Sequence, residues 1–149
     1  MYRFLVGDYI SRIVCGLFYI FLPTTLIRPE ILGDGFWDQM LKLVYTVDSS
    51  SNLFPSIHCL VSWFCYVGIR RQEKIPKWYQ RFSLIFAVLV CISTQVTKQH
   101  YIIDVFGGIL LAEGCFLIGQ KTQWYQRAEA FFERIYHFFR LAKRRWAAQ

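Results

Sequence analysis

The sequence lacks the devices by which small secreted and metal-stapled domains hold themselves together. Its five cysteines, Cys15, Cys59, Cys65, Cys91 and Cys115, are odd in number, show no CxxC spacing and all fall in apolar stretches. That pattern supports neither a disulfide framework nor a zinc site and reads as small buried hydrophobes. There is no internal repeat and no low-complexity tract, so repeat architectures fall away. Nowhere do apolar and polar residues alternate strictly, which removes a membrane β-barrel. The N-terminal stretch lacks the form of a secretory leader, because Asp8 and Arg12 interrupt its apolar run and no small-residue cleavage site follows. Acidic residues are scarce, 10 Asp and Glu against 17 Lys and Arg, for a net charge of +7. That excess gathers in two short stretches beside apolar runs, as on the cytoplasmic side of a membrane, so no nucleic-acid partner is expected.

What is abundant is apolar surface. Of 149 residues, 55% are hydrophobic and 19% aromatic, more than a one-domain chain can hide while keeping a polar skin. The surplus must face lipid. The expected fold class is all-α, an integral membrane helical bundle of about four transmembrane helices plus a C-terminal amphipathic helix. The apolar segments fall near residues 9–27, 53–69, 79–97 and 101–119, each close to the ~20 residues that cross a ~30 Å hydrocarbon core. Charge then assigns the sides. Residues 70–81 hold five Lys or Arg against one Glu, residues 121–149 hold seven against two, and residues 30–52 hold one Lys against four acids. The positive-inside rule puts both termini and the 70–81 loop in the cytoplasm, and the acidic loop and the turn near 98–100 outside. Residues 1–120 are expected to form the membrane-embedded core. In 121–149, Phe131, Phe132, Ile135, Phe138, Phe139 and Trp146 recur at helical spacing between arginines and lysines, the pattern of a basic interfacial helix on an anionic leaflet.

Ionisable groups at the ends of such helices are costly unless they pair or face water, and four places hold them. Arg28-Pro29 ends the first span, Pro55-Ser56-Ile57-His58 opens the second, and Ser93 lies seven residues before His100, which with Asp104 opens the fourth. All lie at the outer face on this topology. At i and i+4 on a helix, His100 and Asp104 would share one face, where the carboxylate fixes the imidazole tautomer and leaves the other nitrogen basic. Such an imidazole serves as nucleophile or general base, and the plain alternative is a helix-stabilising pair. Pro55 suits a first-turn position, placing Ser56 near free backbone N–H groups; a simple cap is the alternative. His58 can donate a proton to a leaving group. Arg28 offers a fork for phosphate, or snorkels to a headgroup. Together they form a kit for phosphoryl transfer that calls for no metal and no cofactor. Glu113, inside the fourth span, either pairs across the bundle or lines a polar cavity.

These blocks resemble the type 2 phosphatidic acid phosphatases, which share their site with vanadium haloperoxidases. That family carries a Lys and Arg-Pro pair, then Pro-Ser-x-His, then Ser-Arg with a distant His-x-x-x-Asp. The resemblance implies His100 as a nucleophile forming a phosphohistidine, Asp104 orienting it, and His58 protonating the leaving alcohol. It implies Arg28, Ser56 and Ser93 on the phosphate. Phe21 stands where the family has its Lys, and Thr94 where it has the third-block Arg. Lys98, just before His100, is the candidate substitute cation. The string His-Tyr-Ile-Ile-Asp-Val also looks like the inositol phosphorylceramide synthase branch, whose members transfer a headgroup between lipids. Typical members have six crossings, so the core reads as a version without the first two. The implied protein is a metal-independent lipid phosphate phosphatase or phosphotransferase acting at the outer face, with a bacterial plasma membrane as the expected location. Its partners would be membrane lipids, a lipid phosphate substrate and, in one reading, a second copy of itself. The alternative is an inactive or truncated homologue that binds phosphate lipids or is structural.

Overall fold

The structure is a computed structural model that describes residues 2–48, 50–122, 126, 129, 130 and 134. The described residues form five helices: α1 (Tyr2–Phe21), α2 (Phe36–Val47), α3 (Ile57–Ile69), α4 (Lys77–Val96) and α5 (Ile102–Lys121). The amphipathic reading of the basic tail falls almost wholly outside the described residues. The only strand-like pairing among them is an isolated antiparallel bridge between Thr25 and Ser51.

Helices α1, α4 and α5 are long and apolar enough to cross a membrane. Their exposed faces carry Leu17, Ile20, Phe82, Phe86, Leu89 and Leu110, which suits lipid rather than water. The chain is thus a helical protein built for a membrane. Helix α1 begins seven residues earlier than the apolar run suggested, and two of its charges neutralise each other within the helix: Arg12 Nε meets Asp8 Oδ2 at 2.8 Å, one turn away. The helix gives out before Pro23, and an extended segment follows.

Helix α3 departs further from expectation. It has 13 residues, about 20 Å at 1.5 Å per residue, short of a ~30 Å core. Its expected first turn, residues 53–56, is not helical. Thr24 Oγ1 accepts from Leu53 N at 2.9 Å and from Phe54 N at 3.1 Å, and Thr24 O accepts from Asn52 N at 2.7 Å. The non-helical backbone is therefore satisfied by protein, the condition for irregular chain within an apolar layer. Leu53, Pro55 and Ser56 are fully buried. The acidic segment expected as plain loop contains α2, with Phe36, Trp37, Met40, Leu43 and Val47 exposed along it.

Helix α5 is the hub, packing against α1 and α3, while α4 packs on α3. Small residues allow the close crossings. A Cβ on Gly108 would meet Ser56 O at 2.7 Å, and one on Gly119 would meet Gly7 Cα at 3.0 Å. Cys15, Leu60, Phe64, Ala112 and Cys115 fill the core between them; the buried cysteines act there as compact apolar groups.

Candidate active site

The histidine end of the bundle is assembled by two caps. Helix α4 ends in a Schellman motif with Lys98 in the left-handed conformation at φ 50°. Gln99 N donates to Thr94 O at 3.0 Å and Lys98 N to Gln95 O at 3.1 Å. This reversal turns the chain so that His100 is buried against the bundle. Helix α5 then starts through a reciprocal cap, in which Tyr101 N donates to Asp104 Oδ2 at 2.8 Å and Asp104 N to Tyr101 O at 3.0 Å. The expectation that His100 and Asp104 share a helical face is thus corrected, since His100 precedes the helix. The carboxylate reaches back over the cap, and His100 Nδ1 lies 3.6 Å from Asp104 Oδ2.

Pro55 is likewise not a first-turn residue, because α3 starts at Ile57 with Ser56 as its N-cap. Ser56 Oγ accepts from Cys59 N at 3.4 Å, and Ser56 N donates to Asp104 O at 3.0 Å, joining the starts of α3 and α5. In the first turn of α3, the His58 ring packs edge-on against that of His100 with centroids 5.9 Å apart. Both rings line a cavity of roughly 220 Å³ with Tyr19, Asp48, Asn52 and Leu53. The structure therefore brings His58, His100, Asp104 and Ser56 together.

Arg28 joins this group through Asp48. Its Nη1 donates to Tyr45 O at 3.0 Å and Asp48 O at 2.8 Å, its Nη2 to Asp48 Oδ2 at 3.1 Å, and its guanidinium lies over the Tyr45 ring at 4.7 Å. The other Asp48 oxygen is 3.6 Å from His58 Nε2. One carboxylate thus spans the cation of the first block and the histidine of the second. Ser93 and Lys98 are not brought in: both are exposed. Thr94 faces inward instead, its hydroxyl 3.7 Å from Cys59 Sγ. Asp48, Tyr19 and Tyr45 were not singled out by sequence. Tyr19 donates to Pro55 O at 2.9 Å and so holds the segment before α3. Their signal lies in tertiary pairing, which no local spacing carries.

Burial lowers the pKa of His100 below its ordinary value, and the nearby His58 adds to this. Asp104, Asp48 and the Leu53 carbonyl pull against it without reversing the direction. His100 is therefore neutral at pH 7, with a ring nitrogen available for attack. Among the described residues, no group of three or more His, Cys, Asp or Glu side chains is placed to hold a metal ion.

At the far end of the bundle Glu113 takes the first of its two expected roles. It pairs across the helices with Arg70 through two bonds of 2.6 and 2.8 Å and accepts from Trp63 Nε1 at 3.1 Å.

A family model for the PAP2 superfamily matches residues 34–118, which span α2 to α5 and both histidines. The chain belongs to the PAP2 superfamily, and membership supports a phosphatase-type activity. No curated protein and no solved structure matches it.

Proposed function

We propose that the protein is a lipid phosphate phosphatase or phosphotransferase that works through a phosphohistidine on His100. The observation that carries this reading is the facing pair of His58 and His100 in one cavity, with Asp104 behind the second ring. In the first step the free ring nitrogen of His100 attacks phosphorus and the ester P–O bond breaks. The leaving alkoxide takes its proton from His58, and Asp104 accepts the hydrogen bond of Nδ1–H as the ring becomes cationic. In the second step water or a lipid hydroxyl loses its proton to His58 and attacks the phosphohistidine, which returns His100 to its neutral form. Arg28 holds phosphate oxygens with the fork that Asp48 now shares. Lys98, exposed beside the turn, is long enough to join it, while Ser56 acts by capping α3 beneath the site. Ser93 would need to turn inward to contribute.

The substrate class follows from the surroundings: an amphiphile entering sideways between exposed apolar helices. Transfer to a lipid hydroxyl, as in the inositol phosphorylceramide synthase branch, is the finer version of the same chemistry. The charge balance of the loops supports a histidine end facing outward and a basic end in the cytoplasm. One observation favours a second reading, a relative that binds phosphate lipids without turnover. The Arg28 fork is already engaged by Asp48, and the family's other two phosphate-binding cations are replaced by Phe21 and Thr94.

The test is phosphate release from lipid phosphates by the purified chain in detergent with EDTA, with and without a lipid alcohol as acceptor. Acid-labile label on His100, formed from labelled substrate and absent in His100→Ala, is the expected result. A well-folded protein that binds the lipid and never becomes labelled overturns the enzyme reading in favour of the second.

A further inference from the structure

The strongest unassigned feature lies at the end of the bundle opposite the histidines. Lys77, Arg81 and Leu84 share one face of α4 at i, i+4 and i+7. With Tyr66, Arg70 and Gln80 they line a cavity of roughly 190 Å³. Its wall is firmly built: buried Gln80 donates to Gln72 O and to Ile75 O, both at 2.9 Å, which binds the 70–76 turn to α4. Arg70 is balanced by Glu113. Lys77 and Arg81 are not, since neither makes an ion pair among the described residues. Helix α4 also begins here with Pro76 at its N-cap and no capping side chain, so its positive end adds to the field of the two cations.

The same face changes character along the helix. Beyond Arg81 it continues as Leu84 and Val88, and exposed Trp78, Tyr79, Phe82 and Phe86 flank it. Aromatic rings beside cations mark headgroup depth, and the apolar continuation marks acyl depth. A stripe that is cationic for its first turn and apolar afterwards matches an amphiphile with an anionic head. We propose that this cavity binds the phosphate group of an anionic phospholipid between Lys77 and Arg81, with an acyl chain along Leu84 and Val88.

The site is independent of the histidine pair and its test reads binding alone, so its failure leaves the phosphatase reading untouched. Full-length chain in neutral detergent is titrated with phosphatidylglycerol, phosphatidylcholine and inorganic phosphate, and bound species are counted by native mass spectrometry. Phosphatidylglycerol is expected to bind about tenfold more tightly than phosphatidylcholine. Replacing both cavity cations, Lys77→Gln with Arg81→Gln, removes that preference. The equally charge-reducing pair Arg71→Gln with Lys74→Gln, on exposed positions of the turn, keeps it. The charge-preserving swap Lys77→Arg with Arg81→Lys keeps it too, which separates a lost site from a lost fold. Equal losses in the two neutralised pairs would overturn the site in favour of diffuse attraction. Displacement of phosphatidylglycerol by millimolar inorganic phosphate would overturn the lipid assignment and give the cavity to a free anion.

Discussion

Both ends of this bundle concentrate charge, yet they handle it in opposite ways. At the basic end a half-buried ion pair is closed: Arg70 and Glu113 satisfy each other with two short bonds and Trp63 takes part of the remaining acceptor capacity. At the histidine end the contacts are loose. His100 Nδ1 and Asp104 Oδ2 are 3.6 Å apart, His58 Nε2 and Asp48 Oδ1 also 3.6 Å, and His100 Nδ1 is buried without a hydrogen-bond partner. A satisfied pair stabilises; an unsatisfied polar group costs free energy unless function uses it. The comparison teaches that ionisable side chains form a closed clamp at one end and a loosely paired cluster at the other, the arrangement the proposed chemistry calls for. Perturbing the two ends should therefore separate activity from stability.

The largest expected effect comes from His100→Ala, with turnover falling by about 10³-fold or more and the melting temperature little changed. A variant that keeps a tenth of the activity would break the comparison, because the loose end would then be only structural. Next is Gly108→Ala. Its Cβ would meet backbone rather than a movable side chain, Ser56 O at 2.7 Å. The start of α3 must shift, carrying His58 away from His100, and activity should fall by roughly 10²-fold, as misplacement of about 1 Å allows. Stability should fall too, by about 1–3 kcal/mol, read by thermal melting in detergent.

Much of this was legible in the sequence, and the misses share one cause. The apolar runs located α4 and α5 within a couple of residues, because composition over twenty residues is a strong signal. The non-helical segment before α3 escaped because Leu53 and Phe54 are apolar enough for a helix, while their backbone is claimed by Thr24. Helix α2 escaped because its acids suggested loop. The motif blocks showed which histidines and acids to watch, whereas Asp48 showed only as one negative charge among four. Its place between Arg28 and His58 depends on a fold of the 22–54 segment that no periodicity encodes. Ser93 and Thr94 make the same point at one-residue scale: a rotation of about 100° per residue decides which hydroxyl faces the bundle.

The carboxylate at position 48 gives the third test. Asp48→Asn keeps the backbone carbonyl that Arg28 uses and removes the charge beside His58. Activity should drop by about tenfold, less than the roughly 10²–10⁴-fold lost with a general acid outright, because His58 itself remains. The pH profile gives the sign. His100 must be neutral to attack, and burial holds its pKa below the ordinary imidazole value, so the rate rises with pH through an acid limb shifted to lower pH than a free histidine would give. Asp48 pulls this pKa upward, so its loss moves the limb to still lower pH. A limb that moves up, or stays put while activity falls, would reduce Asp48 to a structural tie. At the other end, Glu113→Gln leaves Arg70 without its counter-charge. Stability should fall by about 1–3 kcal/mol with phosphate release within about twofold of the parent, the reverse of His100→Ala.

The smallest effect is expected where α2 is tied to the rest of the histidine end. Tyr45 contributes twice: its ring lies under the Arg28 guanidinium, and its hydroxyl donates to Thr97 O at 2.9 Å, linking α2 to the end of α4. Tyr45→Phe keeps the first contact and deletes the second. One hydrogen bond of this kind is worth about 0.5–1.5 kcal/mol, and the Schellman turn that follows Thr97 is held by its own backbone bonds. Melting should drop slightly, and the rate should stay within about threefold of the parent, since the arginine platform remains. Tyr45→Ala removes both contacts and should weaken substrate binding further, as a rise in KM. Equal kinetics for Phe and Ala would show that the ring does not position Arg28, and a large loss already in Phe would show that α2 sets the placement of His100 through Thr97.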